Sequence, residues 1–193
     1  DLDLEKANEA ASLFHLDVPI YQDAELMLSE TRPDIFIFVT PPSVRLKMVE
    51  LAAKYCVKAV SLEKPMAESL EEARRIRDIC KEAGIKASVS HQQKYLRQMQ
   101  DMKKRIENGE IGDIEKIHVE TQPWLAQLGT HYVDYALWVA GGVKAKWAVG
   151  HAHGTAALSD SHPSPDFLQD EILLENGVRV YLECGYLSSS RHP

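Results

Sequence analysis

The sequence predicts an α/β protein: a truncated Rossmann-type doubly wound parallel sheet, followed by an α+β domain with a largely antiparallel sheet. Three observations carry this. Residues 34–40 (Asp-Ile-Phe-Ile-Phe-Val-Thr) hold five consecutive apolar residues, as a strand buried on both faces of a parallel sheet does. Short strand-like runs alternate with helical patterns up to about residue 90. Beyond it, helical patterns lead into successive strands, with Asn176-Gly177 as a hairpin signal between the last two. The expected division is therefore 1–90 and 91–193.

Each element has a local reason. Asp3 is placed to cap a helix carrying Leu4, Ala7, Ala10, Ala11 and Phe14 on one face. Asp23 caps a short helix with Leu26 and Met27. Pro41-Pro42-Ser43 ends the strand 34–40, and a helix with Met48, Leu51, Ala52 and Tyr55 follows. The next strand, Lys58–Leu62, runs into Glu63-Lys64-Pro65. Ser69 and Glu72 form a capping box for a helix through Ala73, Ile76, Ile79, Cys80 and Ala83, closed by Gly84. Ile85, Ala87 and Val89 alternate with polar residues in one more strand. Met99, Met102 and Ile106 then mark a helix ended by Asn108-Gly109. A strand over 114–122 and a helix over about 130–140, stopped by Gly141-Gly142, come next. Strands are expected at Trp147–His151, Phe167–Leu174 and Val178–Cys184.

Composition narrows the function classes. The 193 residues suffice for one large domain or two small ones. With 45% hydrophobic and 26% charged residues, the chain has the balance of a globular protein. A net charge of -7 gives no footprint for nucleic acid or an anionic membrane. No apolar run approaches the ~18 residues of a membrane span. Cys56, Cys80 and Cys184 lie far apart without metal spacing and read as reduced thiols, which points to a cytoplasmic protein. The chain opens on Asp-Leu-Asp-Leu at a helix start, and closes just after a strand pattern. Both ends read as cut, so the expectation is a fragment that lacks an N-terminal Gly-rich strand-loop and a C-terminal end.

Ligands of open α/β sheets bind outside the carboxyl ends of the strands. Two neighbouring strands here end on rigid polar turns, Thr40-Pro41-Pro42 and Glu63-Lys64-Pro65. Pro65 pushes Lys64 away from helical geometry, so its ammonium leaves the strand in a constrained direction. Asp1 stands where a preceding strand would stop. A carboxylate there hydrogen-bonds a ribose hydroxyl in dinucleotide-binding folds, and is otherwise an ordinary solvated group. His131, in Gly129-Thr130-His131-Tyr132-Val133-Asp134, falls in the first turn of its expected helix, where the dipole disfavours an imidazolium. His91, Gln92, Gln93 and Lys94 follow the last strand of the first domain and are placed either to line a cleft or to form an exposed helix start. Trp124 is a wall of the same cleft or a core residue. His151, His153 and His162 include a His-x-His pair on one strand face, but no carboxylate spacing supports a metal, and none is expected.

Together these elements resemble the glucose-fructose oxidoreductase and inositol dehydrogenase family (Gfo/Idh/MocA). Asp1-x-Asp3 with Lys6-Ala7 is similar to the segment after the family's second strand, and Pro33-Asp34 into Thr40-Pro41 to its fourth strand. Glu63-Lys64-Pro65 is similar to its signature turn. Gly109-Glu110-Ile111-Gly112 resembles the turn before the first strand of its second domain, and Gly129, His131 and Asp134 resemble its substrate-side helix. The resemblance implies an NAD(P)-dependent oxidoreductase that transfers a hydride between nicotinamide and a sugar, polyol or related hydroxy or carbonyl compound. It implies Asp1, Thr40, Pro41, Glu63 and Lys64 at the cofactor, and His91, Lys94, Trp124, Gln127 and His131 at the substrate. Lys64 and His131 would be catalytic, with His131 the general acid/base. Asp1 favours NAD, because a carboxylate repels the 2′-phosphate of NADP. The implied partners are a small molecule and further copies of the chain, joined through the second-domain sheet, for which 144–184 offers apolar positions; neither nucleic acid nor membrane is implied.

Three departures stand beside the resemblance. Gln127 occupies a position where many relatives carry Asp, and an amide cannot stabilise a protonated imidazole by charge. Arg45 replaces the histidine of a frequent T-P-x-x-x-H pattern. The glycine loop that cradles a pyrophosphate does not appear before Asp1. They keep open a non-catalytic, sugar-sensing or oligomerising relative. A phosphoacceptor receiver domain also ends neighbouring strands on Thr and Lys-Pro. It requires an Asp at the end of the strand before Thr40, which Val18-Pro19-Ile20-Tyr21 does not supply.

Overall fold

The computed structural model describes residues 1–154 and 164–186. The chain divides into two compact units, Asp1–Val89 and Ser90–Pro193. No helix among the described residues is long and apolar enough to cross a membrane.

The first unit runs α1 (Leu4–Leu13), α2 (Ala24–Thr31), β1 (Ile35–Phe38), a 3-10 turn (Pro42–Val44), α3 (Arg45–Lys54), β2 (Ala59–Leu62), α4 (Leu70–Glu82) and β3 (Lys86–Val89). The starts of α1, α2 and α4 are fixed by side chains that satisfy otherwise orphaned backbone N–H groups, while α3 has no side-chain cap. The Asp3 carboxylate accepts from Glu5 and Lys6, that of Asp23 from Leu26, and the Ser69 hydroxyl from Glu72. The return arm of the last box goes to the N–H of Glu68, one residue earlier than the standard box, at 3.1 Å. β1, β2 and β3 pair in parallel in that order, with Phe38 opposite Leu62 and Leu62 opposite Val89. Phe36 and Phe38 of β1, Val60 and Leu62 of β2, Val49 and Ala52 of α3, and Ile76 and Ile79 of α4 form the core.

Two expectations fail here. The apolar run of β1 is covered on one face only: Phe36 and Phe38 are buried, while Ile35 and Ile37 are 61% and 68% exposed. Among the described residues the packed helices lie against the Phe36–Phe38 side. Likewise α1 forms where its spacing predicts, yet none of its residues is buried, and Phe14 is its exposed C-cap.

The second unit runs from a 3-10 turn (Gln92–Tyr95) through α5 (Arg97–Glu107), β4 (Lys116–Thr121), a π-helical turn (Leu125–Gly129), α6 (Thr130–Val139), β5 (Ala145–His153) and β6 (Phe167–Leu174) to β7 (Arg179–Gly185). The sheet order is β4-β7-β6-β5. β5–β6 and β6–β7 are antiparallel, and β4–β7 is parallel. The parallel pair joins strands far apart in sequence, where no hairpin dictates direction. Ala136 and Ala140 of α6 pack on Ile172, Leu174, Val178 and Val180. Tyr132 and Val133 pack beside Leu168, Leu182 and Cys184. Ile172, Leu174, Val178 and Val180 thus serve α6, and the outward face mixes polar residues with the exposed Trp147 and Val149 of β5. There the His118 ring stacks on Tyr181 with centroids 4.7 Å apart, and Glu171 bonds Arg179 and the Tyr181 hydroxyl.

The β6–β7 turn has the chemistry its sequence announces. Leu174 N–H donates to Val178 O at 2.9 Å, and Gly177 takes φ +91°. Asn176 Nδ2 donates to the Ala140 carbonyl at 3.0 Å, which joins the turn to the end of α6. Gly177→Ala would place a Cβ in the left-handed region and is expected to cost about 1–2 kcal/mol, read as a lowered urea midpoint.

Cys80 and Cys184 are buried and Cys56 is exposed. Burial, with Asp170 and Glu183 adding in the same direction, pushes the Cys184 thiol up to about 11. The native chain is therefore expected to yield one fast-reacting thiol, Cys56, to a chromogenic thiol reagent near pH 8, and all three in urea. Fast native labelling of Cys184 would contradict its burial.

Candidate active site

In the first unit, parallel register brings the candidate residues together. Phe38 opposes Leu62, so Thr40 and Lys64, each two residues further, leave the carboxyl edge of the sheet level with each other. Arg45, the first residue of α3, is 1% exposed. Its Nε and Nη2 donate to the Thr40 carbonyl at 3.1 and 2.5 Å, and Nη2 reaches the Lys64 carbonyl at 3.4 Å. One guanidinium thus ties both turns. Burial draws Arg45 below its ordinary pKa, against an opposing pull from the Glu63 charge. Glu63 Oε2 also accepts the Lys64 backbone N–H at 3.2 Å, and the Lys64–Pro65 peptide is cis. Pro41 is extended and leads Pro42 into the 3-10 turn. Thr40 Oγ1 is buried without a hydrogen-bond partner among the described residues.

The sequence reading registered Arg45 only as a departure. A cation just after a proline turn reads as an exposed helix start, and nothing in the pattern shows that it turns inward. Asp1 is exposed, and its carboxylate accepts the Asp3 N–H at 2.9 Å, a local bond.

In the second unit, a separate cluster is built on α6. Gly129 has helical angles (φ -56°, ψ -39°), so the π turn from Leu125 passes into α6 without a break, with Trp124 as the extended residue before it. This corrects the position assigned to His131. It lies well inside a continuous helical stretch, where the dipole effect, confined to the first turn, does not govern its charge. Gly129 is required because a Cβ there would meet Leu125 Cδ1 at 2.9 Å and Cys184 Sγ at 3.2 Å.

His131 is 2% exposed, and its Nδ1 lies 3.0 Å from the Tyr135 hydroxyl. The His91 ring stands edge-on to it with centroids 4.9 Å apart. Asp134 Oδ2 takes the Lys94 ammonium at 2.8 Å and lies 3.7 Å from His91 Nδ1. Three residues singled out from the sequence, His91, Lys94 and His131, are therefore brought together. Asp134 and Tyr135 do the joining. Asp134 was visible in the motif without a role. Tyr135 went unnoticed, although its spacing of four from His131 puts both on one helix face. Gln127 and Trp124, both half-buried, lie in and before the turn that feeds α6. Trp124 Nε1 has no hydrogen-bond partner among the described residues.

His151 and His153 sit in β5, opposite Gln169 and Phe167, and both are exposed. No group of three metal-binding side chains forms among the described residues. His162 lies outside them.

Residues 1–91 match the family described as oxidoreductases with an NAD-binding Rossmann fold. These residues, matched by the Gfo/Idh/MocA family model, make up the first unit and its junction with the second. The chain is 29% identical to D-apiose dehydrogenase from Paraburkholderia graminis, over 97% of the chain and 53% of that protein. It is 34% identical to scyllo-inositol 2-dehydrogenase (NAD(+)) from Bacillus subtilis, over 47% of the chain and 26% of that protein. In structure it is similar to an Agrobacterium radiobacter oxidoreductase crystallised with NAD+, L-tartaric acid and magnesium. The TM-score is 0.81 at 20% identity, over 100% of the chain and 59% of the other. That likeness carries the fold alone. The chain spans about half the length of the D-apiose dehydrogenase it matches.

Removing the buried clamp has a predictable cost. Arg45→Met leaves the Thr40 and Lys64 carbonyls without this donor and is expected to lower stability by about 2–3 kcal/mol in urea unfolding. Arg45→Lys should recover little of it, since one ammonium cannot reproduce the planar fork. Wild-type stability in either variant would show that the clamp is idle.

Proposed function

We propose that the protein is an NAD-dependent oxidoreductase that interconverts a hydroxyl and a carbonyl on a sugar or polyol. The observation that carries this is the Arg45 clamp. It sets Thr40 and Lys64 level on the carboxyl edge of a parallel sheet, within the residues that match an NAD-binding family. The fit to a dinucleotide is chemical. The Thr40 hydroxyl is buried without a partner among the described residues, and a lysine stands beside it at the strand ends, where ribose hydroxyls and a carboxamide find donors and acceptors. Nicotinamide, when bound, supplies or accepts the hydride.

The remaining work falls to side chains. Lys64 donates to the substrate oxygen and stabilises the negative charge that develops there. His131 takes the hydroxyl proton in oxidation and returns one in reduction. Asp134 holds Lys94 and neighbours His91, which presents two polar side chains to sugar hydroxyls. Gln127 and Trp124 complete the substrate side in this reading. Asp1 favours NAD over NADP by repelling a 2′-phosphate. D-apiose and scyllo-inositol dehydrogenases, by their names, act on a sugar and a polyol, which supports that substrate class. We extend the reading to a cytoplasmic homo-oligomer joined through the second-unit sheet, where Trp147 and Val149 of β5 are exposed.

The test is nicotinamide absorbance with the full-length protein and a panel of pentoses, hexoses and inositols. Lys64→Ala and His131→Ala are each expected to lower kcat by roughly 10²–10³-fold. Turnover that survives both substitutions sinks the assignment. Tighter binding of NADP than NAD by calorimetry would overturn the role of Asp1, and sugar binding without turnover would mark a sensing relative instead.

A further inference from the structure

A histidine that exchanges a proton at one ring nitrogen needs its other nitrogen held, because the neutral ring has one donor and one acceptor. In this chain a phenol lies within hydrogen-bond distance of Nδ1, Tyr135 Oη at 3.0 Å. Tyr135 is 5% exposed and His131 2%, so the bond is shielded from water. The nearby carboxylate, Asp134, is engaged by Lys94 at 2.8 Å. A hydroxyl oxygen has two lone pairs, so the phenol can accept from an imidazole N–H.

We infer that Tyr135 is a positioning residue for His131: its oxygen accepts the Nδ1 proton and leaves Nε2 as the nitrogen that exchanges one. This rests on the proposed acid/base role of His131. The bond keeps its sense through the cycle. Neutral His131 donates from Nδ1 to Tyr135, gains the substrate proton on Nε2, and still donates from Nδ1 as an imidazolium. Burial raises the Tyr135 hydroxyl pKa, the Gln93 N–H pulls it back, and Asp134 and Tyr132 add to the rise, so the phenol stays un-ionised at neutral pH. A neutral oxygen orients the ring without adding a charge to it. Among the described residues, the titratable groups around the ring are His91, Lys94, Asp134, Tyr132 and Tyr135, from the 3-10 segment and from α6 itself.

The experiment has two readouts on the full-length protein. Long-range proton–nitrogen spectra of 15N-histidine protein, with the His131 signals assigned by their loss in His131→Asn, report the tautomer directly. Wild type is expected to show the Nδ1–H form, and Tyr135→Phe a mixture of both. An Nε2–H form in wild type, or an unchanged distribution in Tyr135→Phe, overturns the inference. The second readout is kinetic: Tyr135→Phe is expected to lower kcat about 10- to 100-fold with KM held, which a loss of packing alone would not produce. A rise in KM at constant kcat counts against it. Should wild type turn over no substrate while the tautomer shifts as expected, the pairing stands and the oxidoreductase reading fails. Turnover with unchanged spectra and kinetics in Tyr135→Phe fails the pairing and spares the reading.

Discussion

A guanidinium shut away from water must find its hydrogen bonds in the protein; Arg45 places Nε and Nη2 on the turns that end two strands and leaves Nη1 without a partner among the described residues. That requirement ties several features into one. Parallel register brings Thr40 and Lys64 to the same level, and proline turns stop both chains from running on. The start of α3 then supplies the cation between them. A carbonyl from each turn is bonded to one rigid plane, so neither turn can shift without stranding part of a buried charge. The proposed contacts of Thr40 and Lys64 depend on this more than on any feature of their own.

In the second unit one helix does two jobs through its periodicity. α6 lays Ala136 and Ala140 against β6 and β7, and by the same turns presents His131, Asp134 and Tyr135. Spacings of three and four keep those polar groups neighbours. The π turn before α6 changes where the helix begins, and Gly129 lets it pass Cys184 without a clash.

What could be read from the sequence was local chemistry. Asp3, Asp23 and Ser69 cap helices because a side-chain oxygen near a helix start can act only on adjacent N–H groups. Asn176-Gly177 makes a hairpin because few residues accept its angles. What could not be read depended on partners distant in sequence. The run in β1 says that its residues are apolar, not how many faces are covered. The apolar residues of 144–184 could not announce that α6 would claim them. The parallel pairing of β4 with β7, the inward turn of Arg45 and the π turn carry no short-range signature. Tyr135 differs: its spacing of four from His131 puts both on one helix face, which the sequence alone shows.

The bond from Asn176 to the Ala140 carbonyl has a consequence for how the second unit assembles. The same side chain sits at the tip of the hairpin and on the last turn of α6. A one-residue slip between β6 and β7 would turn the apolar row away from α6 and carry Asn176 out of reach of that carbonyl. Strand alignment and helix docking are thus checked against each other by one amide. A misaligned hairpin cannot hide as a local fault, because it also leaves the helix that bears His131 unlatched.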